Sequence, residues 1–550
     1  MNASIHNPVL PGFHPDPSIL RVGTDYYIAT STFEWWPGVR LHHSRDLRHW
    51  RPIGHALTRT SQLEMRGNPD SGGIWAPCLS WRDGVFHLIY TNVRSLLGMH
   101  KDTHNYLVTA PSIEGPWSDP VYLNSSGFDP SLFHDDDGRS WLLGMQWDHR
   151  PGHHPFCGIL LQEYDHAQRR LVGPVHRIFL GSSLRVTEGP HLYKRDGWYF
   201  LVTAEGGTYY EHAVTVARSR HITGPYELSP HHPLLTARGA APAGLQRAGH
   251  ASLVETDDGQ WYLAHLCGRP LEWRHDAPAE PPAHYALDAL HCPLGRETAL
   301  QKLAWDADGW PRLAHGDSVP RREVEGPGLP DAPWPPQAEL DDFDAPTLSP
   351  HWATLRAPAG EWLSLDARPG HLRLVGRESL MSCFDQSLVA RRQQAFDCEA
   401  ETLLDFSPQD FQQMAGLAAY YNTRNHAYLH VTHDEALDAR VLRLMVNDRG
   451  MASEPALPVV LPPQGPIGLR LRINGPTMQF AWRAAAEGEW RSIGPALPTA
   501  MLSDEHATEF RGDNVAQGFG FTGNFIALAC QSLGGRPAVA DFDHFRYREG

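Results

Sequence analysis

Five stretches of the chain share one alternation of apolar and polar positions. Each has a proline or alanine as its second residue, runs through alternating apolar positions, breaks at a polar turn and resumes as an aromatic-rich run. They read DPSILRVGTDYYIAT, APCLSWRDGVFHLIYT, DPSLFHDDDGRSWLLG, GPHLYKRDGWYFLVT and HASLVETDDGQWYLAHL. Aligned on Pro17, Pro77, Pro130, Pro190 and Ala251, they recur at spacings of 60, 53, 60 and 61 residues, a period that marks repeat architecture. The breaks Asp83-Gly84, Asp137-Gly138, Asp196-Gly197 and Asp258-Gly259 are hairpin signals, with Gly23-Thr24-Asp25 in the first repeat. A second recurring element, SRDLRHW at 44–50, APSIEGPW at 110–117 and ARSRHITGPY at 217–226, is expected to supply outer strands. Roughly four strands per unit, repeated radially, is the pattern of a β-propeller. Five units predict five blades over residues 1–315.

The periodicity stops soon after Trp310. GDSVPRREVEGPGLPDAPWPPQAE follows, rich in Pro and charge, and residues 316–338 read as a linker. From LDDFDAPTLSPHW onward short alternating strands return in GHLRLVG, LRLRING and MQFAWRA, ending on ADFDHFRYRE. Residues 339–550 are therefore expected to form a β-sandwich, and the chain as a whole to be all-β.

At 550 residues the chain exceeds one ordinary core, and 46 Pro with 49 Gly suit a turn-rich β protein. A formal charge of −16 with no basic run disfavours nucleic acid as a partner. No stretch has the ~18 apolar residues of a spanning helix and the N-terminus MNASIHNPVL has no signal-peptide pattern, so a cytoplasmic protein without membrane attachment is expected. The seven cysteines form no CxxC spacing and read as small buried residues in a reducing compartment.

In a propeller the innermost strands line a central channel, so residues at one repeat position become neighbours. At or just before the aligned position stand Asp16, Trp75-Ala76, Asp129, Glu188-Gly189 and Gly249-His250. Three carboxylates, an aromatic and a histidine should converge there. Any one acid could simply cap a turn before proline. Three in five blades is another matter, because clustered like charges raise at least one pKa, which stability alone selects against. Two carboxyls flanking a sugar acetal are what glycoside hydrolysis needs, one protonated to serve the leaving oxygen and one ionised to activate water or attack carbon. Phe33, Trp75, Trp147 and the pair Trp35-Trp36 lie near repeat starts or ends, where rings either stack on sugar faces or pack as ordinary core.

The motifs NPVLPGFHPDPSI, GGIWAP, GFDPSLF, TEGPHLYK and CPLGRET together resemble the β-xylosidases of glycoside hydrolase family 43. LDDFDAPTL, GFTGNFIALACQ and DFDHFRYRE resemble the concanavalin-like, jelly-roll sandwich of the same subgroup. The resemblance implies an inverting, exo-acting β-1,4-xylosidase that trims xylose from non-reducing ends of xylo-oligosaccharides. It matches Asp16 to the general base, Glu188 to the general acid and Asp129 to the residue that raises and orients that acid. It matches Arg296 to a substrate-contacting arginine, and Phe33, Trp75, Ala76 and Trp147 to the walls of the sugar pocket. A phenylalanine of GFTGNF, Phe525 or Phe521, is expected to reach the pocket from the second domain. His250 matches a histidine that in some relatives helps hold a divalent cation, often calcium, through water, with no cofactor otherwise required. Relatives commonly form dimers or tetramers, and a homo-oligomer is expected. Activity on α-L-arabinofuranosides, as main or side reaction, and a non-catalytic glycan-binding propeller are the alternatives.

Other signals carry less. Gly518, Gly520 and Gly523 spell GxGxxG in strand-like surroundings, which argues against a dinucleotide site. His100 and His104 lack the Glu of HExxH, and no GxSxG elbow is present.

Overall fold

The computed structural model describes residues 4–240, 244–271, 290–484, 487–510 and 516–550. It divides into two compact units, Met1–Leu290 with Arg296–Trp334, and His291–Gly295 with Pro335–Gly550. The division at Trp334 falls within the segment read as linker.

The first unit holds five antiparallel blade sheets, built from strands consecutive in sequence except in the first, which passes over the short strand Trp35–Trp36. Their inner strands are Ser18–Val22, Gly73–Arg82, Ser131–His134, Glu188–Arg195 and Gln246–Glu255, one from each repeat, and the arrangement is a five-bladed propeller. Hairpins differ between blades. In blades 2 and 4 Asp83-Gly84 and Asp196-Gly197 both have positive φ (51° and 81°, 51° and 74°), the backbone of a two-residue type I′ turn. Blades 3 and 5 use wider loops, 135–139 and 256–260. The second recurring element differs from expectation: 45–50 and 111–117 are turns that lead into the outer strands, not the strands themselves. Their Pro, Gly and charged residues favour reversal over extension.

Apolar residues of each blade meet those of the next, so the core is divided among the interfaces. Ile19, Tyr26, Ile28, Val254 and Tyr262 pack blade 5 on blade 1, and Leu41, Ile74, Leu88 and Tyr90 pack blade 1 on blade 2. Ile89, Leu107, Leu132 and Leu142 follow, then Phe128, Leu143, Leu192 and Leu201, then Val202, Val216, Ala251 and Leu263. The residue after the aligned position adds a polar stitch between neighbouring inner strands. Ser252 Oγ accepts from the Ile19 N–H and donates to the Pro17 carbonyl, both at 2.8 Å. Ser18 Oγ accepts from Leu79 N–H at 2.9 Å, and Cys78 Sγ from Leu132 N–H. Blade 4 substitutes Tyr193, whose hydroxyl accepts from Leu253 N–H at 2.7 Å. The chain's start is tied to the unit's last strand by Ser4–His6 pairing with Glu323–Glu325.

The second unit is a sandwich of an eight-stranded and a seven-stranded antiparallel sheet. Leu372, Leu404, Leu469, Phe480 and Phe542 from one sheet and Leu417, Leu429, Leu442 and Leu528 from the other form a single core, as expected when the inner faces of two sheets interdigitate. None of the seven cysteines forms a disulfide. Among the described residues no helix is long and apolar enough to cross a membrane.

Candidate active site

The residue before the aligned position has a backbone signature in all five blades. Asp16, Ala76, Asp129, Gly189 and His250 all have positive φ, at 53°, 25°, 54°, 54° and 48°. The left-handed region costs a non-glycine residue roughly 1–2 kcal/mol, and a following proline disfavours it further. Four such residues at one level of the propeller are strain collected where the inner strands begin, which is where functional geometry is found. Glycine is obligatory at 189, where a Cβ would lie 2.9 Å from His250 Cε1.

This backbone brings the three acids together. Asp16 (5% exposed) accepts from Ser31 Oγ at 2.6 Å through Oδ2 and from Arg296 Nη1 at 3.1 Å through Oδ1. The same Nη1 donates to Thr208 Oγ1 at 3.0 Å, so Arg296 is held from two sides. Asp129 (7% exposed) accepts from the Gly189 N–H, next in sequence to Glu188. Burial first, then the charges of Glu188 and Asp16, lift Asp129 well above the usual carboxylate range. Glu188 retains some solvent-accessible surface but sits deep among protein atoms. Burial and then the Asp16 charge push its carboxyl up to about 8, against a smaller opposing pull from Arg296. One acid thus keeps its proton at neutral pH beside another held by a guanidinium and a hydroxyl, a division of labour suited to acid–base catalysis.

Phe33, Trp75 and Trp147 belong to one chain of rings, with two members that sequence reasoning missed, whereas Trp35 and Trp36 are buried core. Phe33 lies 5.7 Å from Phe13 and 5.9 Å from Trp75; Phe128 lies 5.2 Å from Trp75 and 6.1 Å from Trp147. Arg296 stands 5.1 Å above Phe33, which joins this chain to the acids. Phe33 is buried, whereas Trp75 and Trp147 are half-buried. Trp147 is fixed by donating to the Met99 carbonyl at 2.6 Å, with Lys101 Nζ 4.7 Å over its ring. Phe525 lies fully buried in the sandwich, opposite Arg392 and Tyr420 on neighbouring strands. Phe521 is half-buried and stacks on Phe519 at 5.2 Å.

His250 is buried, and burial holds its imidazole below the ordinary range. His191 is pushed down to about 3 by burial and the nearby His250. Neutral imidazole nitrogens are poor direct ligands for calcium, which takes oxygen. Among the described residues the one trio of His, Cys, Asp or Glu with ligand atoms within 4.8 Å of one another is Asp46, His49 and Asp331, which His250 does not join.

Ser31 and Thr208 had no signal in the sequence; Phe13 and Phe128 lie within NPVLPGFHPDPSI and GFDPSLF, but nothing there marks them as members of the ring chain. Comparison with known proteins gives the family. The description "Glycosyl hydrolases family 43" matches residues 5–311, and "Beta xylosidase C-terminal Concanavalin A-like domain" matches 340–548. The chain is 48% identical to a beta-xylosidase of Bacillus subtilis (strain 168), covering 99% of each chain. It is 49% identical to xylosidase/arabinosidase 43B of Humicola insolens, covering 99% of this chain and 97% of that one. The crystal structure of a xylan beta-1,4-xylosidase from Bacillus halodurans C-125 superposes with a TM-score of 0.93 at 56% identity, covering 99% of this chain and 100% of the other. A propeller with three converging acids, followed by this sandwich and these relatives over the full length, means that the chain belongs to glycosyl hydrolase family 43.

Proposed function

We propose that this hydrolase is an exo-acting β-1,4-xylosidase that releases xylose from the non-reducing ends of xylo-oligosaccharides by a single displacement with inversion. The observation that carries the reading is Glu188, a carboxyl pushed up to about 8 beside the Arg296-held Asp16. Glu188 arrives protonated and donates to the glycosidic oxygen as the bond breaks. Asp16 takes a proton from water as the water attacks the anomeric carbon from the other face, which requires about 6.5–9.5 Å between the two carboxyls. Asp129, accepting from Gly189 N–H, fixes the backbone beside Glu188, while the charge of Asp16 favours the protonated form of Glu188. Arg296 orients Asp16, and a guanidinium beside the acids is suited to sugar hydroxyls. Phe33, Trp75 and Trp147 supply apolar faces to the sugar ring.

The substrate assignment rests on relatives named for β-xyloside cleavage. A relative named xylosidase/arabinosidase supports a secondary activity on α-L-arabinofuranosides, whose hydroxyls are similarly placed. Rates on paired nitrophenyl β-xyloside and α-L-arabinofuranoside test this: a larger kcat/KM for the xyloside is expected, and the reverse order overturns the assignment. Loss of turnover on both with retained binding would point to a glycan-binding propeller.

A further inference from the structure

We propose that Glu205 is a positioning residue for the general acid, an inference that rests on the assignment of Glu188 above. Glu205 ends the strand Trp198–Glu205, whose Ala204 pairs directly with Glu188. Its side chain is completely buried. Among the described residues no lysine or arginine pairs with it; four donors do. The Ser182 N–H and the Thr187 hydroxyl each donate to Oε1 at 2.7 Å, the Thr215 hydroxyl donates to Oε2 at 2.6 Å, and the Ser182 hydroxyl completes the set on Oε2. An ionised carboxylate accepts at all four places, whereas an amide keeps the two at its oxygen and reverses the other two, where the Thr215 and Ser182 hydroxyls must turn round to accept. Burying an anion without a cation is a costly way to stabilise a fold.

What the anion holds is the loop into Glu188. Ser182 and Thr187 bracket 182–187, and Thr187 immediately precedes the acid. Within that loop Arg185 and Val186 both have positive φ, at 61° and 53°, a pair of non-glycine residues that persists only when the surroundings over-determine it. The Gly206 N–H donates to the Arg185 carbonyl at 2.9 Å, and Leu184 N–H to Ser182 Oγ at 3.1 Å. Packing is close as well: a Cβ at Gly181 would lie 2.0 Å from Thr187 Oγ1. Glu205 thus fixes both ends of a strained loop whose last residue abuts the proton donor. Displacing a proton donor by even an ångström is costly to the step it serves.

The test compares leaving groups. Glu205→Gln should lower kcat/KM on xylobiose, whose leaving hydroxyl must be protonated, by at least ~10-fold, set against the ~10²–10⁴ of a general acid. On dinitrophenyl β-xyloside, whose leaving group needs no proton, the loss should stay within about threefold. Thr187→Val, which removes one of the four donors at nearly constant volume, should show the same split, and Thr187→Ser should restore it; this pair carries the test if Glu205→Gln fails to fold. Equal losses on both substrates, in step with the folded fraction on thermal melting, would reduce Glu205 to a structural residue. Glu188→Ala is measured alongside. If it shows the split and the Glu205 and Thr187 variants do not, the inference about Glu205 alone fails; if Glu188→Ala shows no split, the acid assignment fails and takes this inference with it.

Discussion

Replacing Glu188 by glutamine should make the protein more stable, by an amount that grows with pH. In the folded chain this carboxyl titrates at about 8 against an ordinary 4.5. An acid whose folded pKa is raised stabilises the unfolded state as pH climbs: the unfolded carboxyl ionises above 4.5, while the folded one holds its proton until about 8. Stability is therefore whole below pH 4.5 and lost progressively up to about 8, where the loss levels off. At 1.36 kcal/mol per pH unit the cost is just under ~1 kcal/mol at pH 5, ~3 at pH 7 and nearly ~5 at pH 9. Glutamine keeps the shape and removes the titration, so the difference between variant and wild type should widen by up to ~4 kcal/mol from pH 5 to pH 9. Calorimetry or denaturant unfolding at pH 5, 7 and 9 reads it directly. A difference that stays constant within ~1 kcal/mol across that range would refute the argument that burial and Asp16 hold Glu188 protonated.

Other consequences follow from the same geometry. Asp16→Asn removes a charge that raises Glu188, so ¹³C-detected titration of the Glu188 carboxyl should give a value below about 8; an unchanged or higher value contradicts the proximity. Arg296→Lys keeps the charge but loses the planar guanidinium whose Nη1 serves both Asp16 and Thr208, and kcat/KM should fall at least ~10-fold, about 1.4 kcal/mol, with the fold intact by circular dichroism. At the interface of blades 2 and 3, His87 and His134 are held down to about 4 and about 3 by burial. Unfolded histidines protonate near 6.5 and these do not, so stability is lost as pH falls below 6.5; His87→Phe should reduce that loss, and an unchanged acid limb of stability would disprove it.

How much of this was legible in the chain depends on whether the signal was local. The blade count was legible because each repeat carries its own apolar alternation and turn. The meeting of Asp16, Asp129 and Glu188 followed from symmetry, since equivalent positions of a closed repeat must be neighbours. The left-handed backbone at those positions was not legible: Asp16, Ala76 and Asp129 precede proline, where that conformation is disfavoured, and no residue type announces it. The supports of the acids were equally silent. Arg296 reaches Asp16 across 280 residues of sequence, and Thr208 joins them through a hydroxyl that resembles any other. Glu205 looks like one more strand-end acid until its four donors are seen. The turns at 45–50 and 111–117 were misread as strands because their recurrence was visible while their role between the third and fourth strands was not.

The central claim is that Glu188 donates a proton while Asp16 activates water, in one displacement. Proton NMR of xylobiose hydrolysis, followed from the first minutes before mutarotation, tests it most directly. The account predicts that α-xylose appears first, the inverted product of a β-linkage. β-Xylose appearing first would mean retention through a covalent intermediate, and would contradict the roles given to both carboxyls.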